Sequence, residues 1–216
     1  MYESMVTVTE KGWERIAIQR CGVVQGIHKL VWSLFGDRGS RKRDFIYMVD
    51  ETEGGATKVF IRSHRKPVVN DYFDFTFIEE VDFRFEKGEV VGFLCDFNFV
   101  KTKTIKKVGK DDTKIVVDLY QDELITNKEG PRSPHDLAVD YWKRRSAQRG
   151  FDLLNLELLD YRKYDMPKSG RKASIVRVLG DMEVTDPEKF THMITNGIGK
   201  MKSKGCGLML VHGANR

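Results

Sequence analysis

Five histidines, three cysteines and a scatter of carboxylates are the residues in this 216-residue chain that could move a proton, hold a metal or attack an electrophile. Their spacing narrows the choice. His28, His64, His135, His192 and His212 form no HExxH pair, and no CxxC or paired Cys/His spacing occurs. No serine sits in a nucleophile elbow. The acidic runs "DETE" from Asp50 and "EEVD" from Glu79 read as solvated strand ends, not as a metal-nuclease set. An enzyme built from these residues is expected to work without a metal ion and without a small-molecule cofactor.

His28 stands apart from the other four. Val24, Ile27, Leu30, Val31, Leu34 and Phe35 recur at helical spacing between Gly22 and Phe35. His28 lies off that stripe, on the flank shared by Gln25, Lys29 and Trp32. One reading is an exposed helical histidine. The other is a general acid or base that titrates near neutrality. Metal-free RNA cleavage needs the second kind: the 2′-OH loses a proton, the 5′-oxygen gains one, and a cation steadies the crowded phosphate.

A second candidate lies near the end of the chain. "GIGKMKSKGCG", Gly197 to Gly207, holds four glycines and three lysines in eleven residues. A nucleotide P-loop needs a strand before it and a helix start after it. Here the order is reversed: the stretch leaves a helix and enters the strand "CGLMLV". It matches neither GxxxxGK[ST] nor GxGxxG, so a nucleotide-binding enzyme is the weakest reading. Two others stand: a plain helix-to-strand connection with solvated lysines, or a backbone cradle for nucleic acid. In the cradle, Gly199, Gly205 and Gly207 permit close approach, and Lys200, Lys202 and Lys204 contact phosphates.

The elements that must position these residues are legible as patterns. "YESMVTVTE" is a weakly alternating strand. "RDFIYMVDE" and "TKVFIRSH" read as a hairpin turning at Glu53-Gly54-Gly55. Residues 68–86 read as strand, with "VDFRFE" in strict alternation, and "VVGFLCDFNFV" is a long aromatic strand. "KTKTIKKVGKDDTK", with five lysines in its first ten residues, reads as an exposed connection and places a domain boundary near Gly109. Beyond it come a short strand "KIVVDLY" and a helix opened by Ser133, Pro134 and Asp136 and closed by Gly150. "FDLLNLELLDY" is a strand or an irregular apolar stretch. "KASIVRVLGDMEV" reads as two strands around Gly180. A last helix follows, capped by Thr185 or Asp186, with Phe190, Met193 and Ile194 inward and Gly197 as its stop. The order strand, helix, two strands, helix, strand is the ferredoxin-like pattern. The expected fold is α+β: two tandem ferredoxin-like (RRM-like) domains with antiparallel sheets, residues 1–108 and 109–216, the first without a clear second helix.

The bulk numbers fit an RNA-binding sheet protein. The chain is 40% apolar and 11% aromatic, enough for a sizeable core, and carries a net charge of +5. Basic clusters at Arg38–Arg43, Lys143–Arg149 and Arg162–Lys172 join the glycine loop on one chain. Aromatic strands in such a sheet are a common RNA platform. Cys21, Cys95 and Cys206 are odd in number and far apart. With an early glutamate in place of a signal segment and no apolar run of membrane length, the expectation is a cytoplasmic chain without disulfides.

Three stretches resemble one family. "HKLVWSLFGDRGSRKRDFIYMVDE", "KASIVRVLGDMEVTDPEKF" and "GIGKMKSKGCGLMLV" are similar to the CasE family, the CRISPR RNA-processing endoribonucleases of the Cascade type. They cover about a third of the chain. The resemblance implies a metal-independent cut on the 3′ side of a CRISPR repeat hairpin, leaving a 2′,3′-cyclic phosphate and a 5′-hydroxyl. It implies that the enzyme keeps its RNA and joins the other Cascade subunits. His28 matches the catalytic histidine, and Lys172 is its expected partner. Arg38, Arg41, Lys42 and Arg43 match the basic loop after the helix, and Lys168 and Arg171 fall in the basic loop near the cut. One departure is plain: where some members carry a tyrosine three residues before the histidine, this chain has Gln25. The alternative function is a non-catalytic module that binds an RNA hairpin.

Overall fold

The computed structural model describes residues 1–36, 43–51, 55–107, 110–166 and 171–213. Two four-stranded antiparallel sheets carry the architecture. The first is built from β1 (Tyr2–Val8), β2 (Phe45–Glu51), β3 (Thr57–Ser63) and β4 (Phe73–Glu80), in the order β2-β3-β1-β4. Helices α1 (Glu10–Ile18) and α2 (Val23–Ser33) connect β1 to β2 and cover one face. Ile27, Leu30, Val31 and Leu34 of the helical stripe pack there on Val6, Tyr47, Val59 and Ile61. The helix α1 carries no clear signal in the sequence. It is short, with a glycine inside, and its start depends on the Thr9 side chain, which accepts from the Gly12 amide at 3.2 Å.

The second sheet has the order β10-β5-β9-β8, from β5 (Val90–Asn98), β8 (Phe151–Met166), β9 (Arg171–Val184) and β10 (Met209–His212). Helices α4 (Pro134–Arg149) and α5 (Pro187–Asn196) lie on one face. Ser133 and Asp136 close a reciprocal capping box on α4, and Gly150 ends it in the left-handed region at φ 75°. Asp186 caps α5 by accepting from the Lys189 amide. Both sheets thus show the ferredoxin-like strand order, and the fold is two such units in tandem. As expected, the first unit has no second helix in the ferredoxin-like position: among the described residues, none lies between β3 and β4.

Three expectations are corrected. Residues 101–114 are not a linker between domains: β6 (Val100–Lys107) and β7 (Lys110–Asp118) form a two-stranded ribbon, the expected strand "KIVVDLY" supplying the second half of β7, followed by the short helix α3 (Leu119–Thr126). The boundary expected near Gly109 falls between the two strands of that ribbon, outside the described residues. The sheets change over earlier, because β5 pairs with β9 and β10 and so belongs to the second unit. Of residues 68–86, expected as strand, only Phe73–Glu80 is one; 68–72 and 81–86 are not. Val81, Phe83 and Phe85 do point inward, but into the second core, and only Arg84 makes a bridge. Alternation there reports burial without a ladder partner. Finally, β9 is one continuous strand through Gly180, because a side chain there would meet the Asn155 carbonyl at 2.4 Å, beside the β8 bulge between Leu153 and Asn155.

A third, smaller apolar cluster joins the units: Ile46 and Met48 of β2 against Leu208, with Phe60, Leu94 and Leu210 around them. Two arginines cross the same seam. Arg62 is fully buried, pairs with Glu3 and donates to the Ile194 carbonyl at 2.7 Å. Arg177 pairs with Asp96 at 2.7 Å, with Asp50, and donates to the Val49 carbonyl at 2.8 Å. No described helix is long and apolar enough to cross a membrane.

Candidate functional site

His28 occupies the middle of α2 and is half-buried in an aromatic nest. Its ring lies parallel to Tyr47 at 6.1 Å and edge-on to Trp32 at 6.4 Å, with Phe45 also at 6.4 Å. The Trp32 indole N–H donates to His28 Nε2 at 3.2 Å. The apolar stripe of α2 and the alternation of β2 place these groups: Phe45 and Tyr47 are two residues apart and face the helix.

The glycine loop comes to the same place from the far end of the chain. Tyr47 Oη donates to the Ser203 carbonyl at 3.0 Å, and Lys204 Nζ donates to Gln25 Oε1, one turn before His28. Burial pushes the Tyr47 phenol far above the usual tyrosine range, so it stays protonated and serves as a fixed donor. Gln25, at the position where some family members carry a tyrosine, holds a loop lysine against the helix.

Inside the loop, a single 3₁₀ turn (Lys202–Lys204) lies between Met201 and Gly205, both left-handed. Gly199 and Lys200 are exposed at its outer edge. Lys202 donates to the Asn196 carbonyl at 2.6 Å. Burial lowers the Lys202 ammonium from the usual lysine value, and the positive charges of Arg43 and Arg149 lower it further. Burial also lowers Arg43, which is half-buried just before β2. Arg43, Arg149 and Lys202 thus crowd positive charge beside the loop, an arrangement that an anion relieves.

Gly205 and Gly207, by contrast, are buried, and this corrects their expected contact with RNA. Gly205 faces Tyr47 and Val49, and the Gly207 N–H donates to the Asp96 carbonyl at 2.6 Å. They shape the loop from beneath. Gly207 has φ +85°, and a Cβ there would stand 2.2 Å from the Ile198 carbonyl oxygen. Gly207→Ala is expected to cost ~1–3 kcal/mol in strain alone. Gly199→Ala carries the same kind of backbone strain, at φ +71°, but would meet only the Tyr141 hydroxyl, at 3.3 Å, so the clash with the Ile198 carbonyl sets the two variants apart. Thermal unfolding of both variants checks this: the melting temperature should fall further for Gly207→Ala.

The loop and α2 form one end of a cleft of about 920 Å³ between the two units. Gln25, Lys29, Tyr47 and Lys204 line this end; Arg162, Tyr164, Ala173 and Ile175 of β8 and β9 line the other. The backbones of Arg171 and Lys172 open β9, opposite Met166 and Asp165, directly before Ala173. Their side chains, together with Arg38, Arg41, Lys42 and Lys168, lie outside the described residues. Cys95 and Cys206 are buried, and burial raises both thiols, so neither is a nucleophile. Among the described residues no group of three His, Cys, Asp or Glu side chains is placed to hold a metal ion. The residues that the sequence did not single out are Tyr47, Trp32 in its hydrogen-bonding role, and the seam arginines. Only Trp32 carried a local signal, its spacing of four from His28.

The chain matches the family model "CRISPR associated protein" over residues 1–212. It is 24% identical over 213 residues to the CRISPR system Cascade subunit CasE of Escherichia coli (strain K12), covering 97% of this chain and 98% of that one. The fold is similar to Thermus thermophilus Cse3 bound to an RNA representing a pre-cleavage complex, with a TM-score of 0.71 and 17% identity, over 98% of this chain and 100% of that one. It is also similar to Cas6e from Escherichia coli K-12, with a TM-score of 0.66 and 17% identity, over 98% of both chains.

Proposed function

The chain belongs to the CRISPR-associated protein family, and we propose that it is a metal-independent endoribonuclease that cuts a CRISPR repeat RNA on the 3′ side of its hairpin and keeps the product. The observation that carries this reading is the convergence of α2, the glycine loop and the β8–β9 pair on the interdomain cleft. Gln25 and Lys29, which flank His28 on α2, and Lys204, held to Gln25, line that cleft together with Arg162, Tyr164 and Ala173 of β8 and β9, next to Lys172.

In the proposed reaction the scissile phosphate lies over the α2 end of the cleft. His28 takes the proton of the 2′-OH. The 2′-oxygen attacks phosphorus, the bond to the 5′-oxygen breaks, and the products are a 2′,3′-cyclic phosphate and a 5′-hydroxyl. Lys172 supplies charge to the crowded phosphate and the proton to the departing oxygen. Arg38, Arg41, Lys42, Arg43, Lys168, Arg171, Lys200, Lys202 and Lys204 contact phosphates, and Gly199 permits their close approach. These contacts position the duplex without reading its bases, because the A-form major groove is too deep and narrow for side chains.

The Escherichia coli relative is a Cascade subunit, and a structural neighbour is the CRISPR endoribonuclease Cse3 bound to RNA. With the family, they support RNA and the other Cascade subunits as partners of this chain. The test is a labelled repeat hairpin incubated with the chain in excess EDTA. One discrete cut is expected, with a 5′ fragment whose cyclic phosphate opens in acid to a 2′- or 3′-monophosphate, and whose 3′ end is freed only when a phosphatase then removes that group. Cleavage that stops in EDTA and returns with magnesium would remove the metal-free reading. Binding without any cut would leave a hairpin-binding module.

A further inference from the structure

The Trp32–His28 contact carries a consequence for which form of the histidine the chain presents. An indole N–H can donate but cannot accept. Its hydrogen bond to Nε2 at 3.2 Å therefore requires a lone pair on that nitrogen, and the proton of the neutral imidazole must sit on Nδ1. The two residues are one helical turn apart on α2, so their relative height is set by the backbone. The indole is itself pinned, edge-on to Phe45 at 4.9 Å, and Phe45 stacks on Phe35 at 4.8 Å. His28 Nδ1 is buried. Nε2, the nitrogen that Trp32 keeps proton-free, is the one the proposed reaction uses.

We infer that Trp32 is a positioning residue that sets the tautomer of His28, keeping Nε2 proton-free and so assigning it the general-base role. A substrate 2′-OH would offer the same kind of donor to the same lone pair. Its arrival replaces one N–H···N bond with one O–H···N bond, and the ring needs neither a flip nor a proton exchange before it can accept the proton. This rests on the reading of His28 as the group that takes the 2′-OH proton.

The test reads the tautomer directly. In the full chain labelled with 15N-histidine, long-range proton–nitrogen correlations above the imidazole titration range distinguish the Nδ1–H form from the Nε2–H form. His28→Ala identifies the signals. The wild type is expected in the Nδ1–H form, and Trp32→Phe, which keeps an aromatic ring but removes the donor, is expected to shift toward Nε2–H. The same variant should lose roughly 10-fold in single-turnover cleavage with unchanged Kd for the hairpin. An Nε2–H wild type overturns the inference without touching the endoribonuclease reading, and it needs no variant to fold. A wild type in the Nδ1–H form whose His28→Ala variant still cuts overturns the role of His28 instead. Full cleavage by a folded Trp32→Phe overturns the positioning role.

Discussion

His28→Ala is expected to lower single-turnover cleavage of a repeat hairpin by about 10²-fold or more while its Kd stays within roughly twofold. The reason for the split lies in what the side chain touches. His28 is not part of the stripe that holds α2 to the first sheet; Ile27, Leu30, Val31 and Leu34 carry that contact. One polar partner is Trp32, whose N–H in the variant can turn to water at a cost of about 1 kcal/mol. The phosphate contacts proposed for affinity come from other elements, namely the glycine loop, Arg43 and the β8–β9 arm. Truncation thus removes a proton acceptor and leaves the binding surface in place. The checks are a single-turnover time course, a binding titration and a melting curve on the same preparation. A loss of affinity as large as the loss of rate would make His28 a binding residue. An unchanged rate would remove it from the reaction.

What the sequence revealed of this site follows a physical division. The helix that carries His28 was readable because a half-buried helix must repeat its apolar residues every 3.6 positions. The start of α4 was readable because capping is local chemistry: Ser133, Pro134 and Asp136 act within one turn. Sheet membership is not local. β5 follows the first sheet in sequence, but its partners, β9 and β10, begin only at Arg171 and Met209. The β6–β7 ribbon was hidden for another reason. Residues 101–105 of its first strand are all exposed, so no alternation arises there, and its lysines look like a linker, leaving only "KIVVDLY" of the second strand legible; two of the lysines, Lys101 and Lys103, are held by Asp122 at 2.6 and 2.8 Å.

The site divides in the same way. The glycine loop and His28 are each conspicuous alone, yet nothing in either stretch says that they meet. The bonds that join them, Tyr47 to Ser203 and Lys204 to Gln25, span 156 and 179 residues. The Gln25 departure also changed meaning once the fold was known. Read along the chain, it marks a missing tyrosine. In the fold it is the residue that brings a loop lysine to the helix of His28.

Arg62→Met is expected to destabilise the chain by about 3–5 kcal/mol, the cost of removing one member of a buried ion pair. Arg62 is 0% exposed and Glu3 is 7% exposed. The Arg62 guanidinium donates to Glu3 Oε1 from Nε at 3.0 Å, with a second bond from Nη2, and lies 4.4 Å from the centre of the Phe83 ring. Its Nη1 satisfies the carbonyl of Ile194, in the last turn of α5, where no helical amide follows to bond it. One side chain thus neutralises a carboxylate of the first sheet and closes the end of a helix in the second unit. Chemical unfolding of Arg62→Met, Glu3→Met and the double variant separates the two functions. If the loss comes from a stranded charge, the double variant should recover most of it, since a well-packed apolar pair replaces a buried ion pair at little cost. The open Ile194 carbonyl stays, worth about 1 kcal/mol. Cleavage should not recover in step with stability. A methionine side chain has no N–H to donate across the seam, and the cleft that joins α2 and the glycine loop to the β8–β9 arm depends on how the two units are held. A double variant that regains both stability and full single-turnover rate would place the hold on that cleft elsewhere, on Arg177 and the Ile46–Met48–Leu208 cluster.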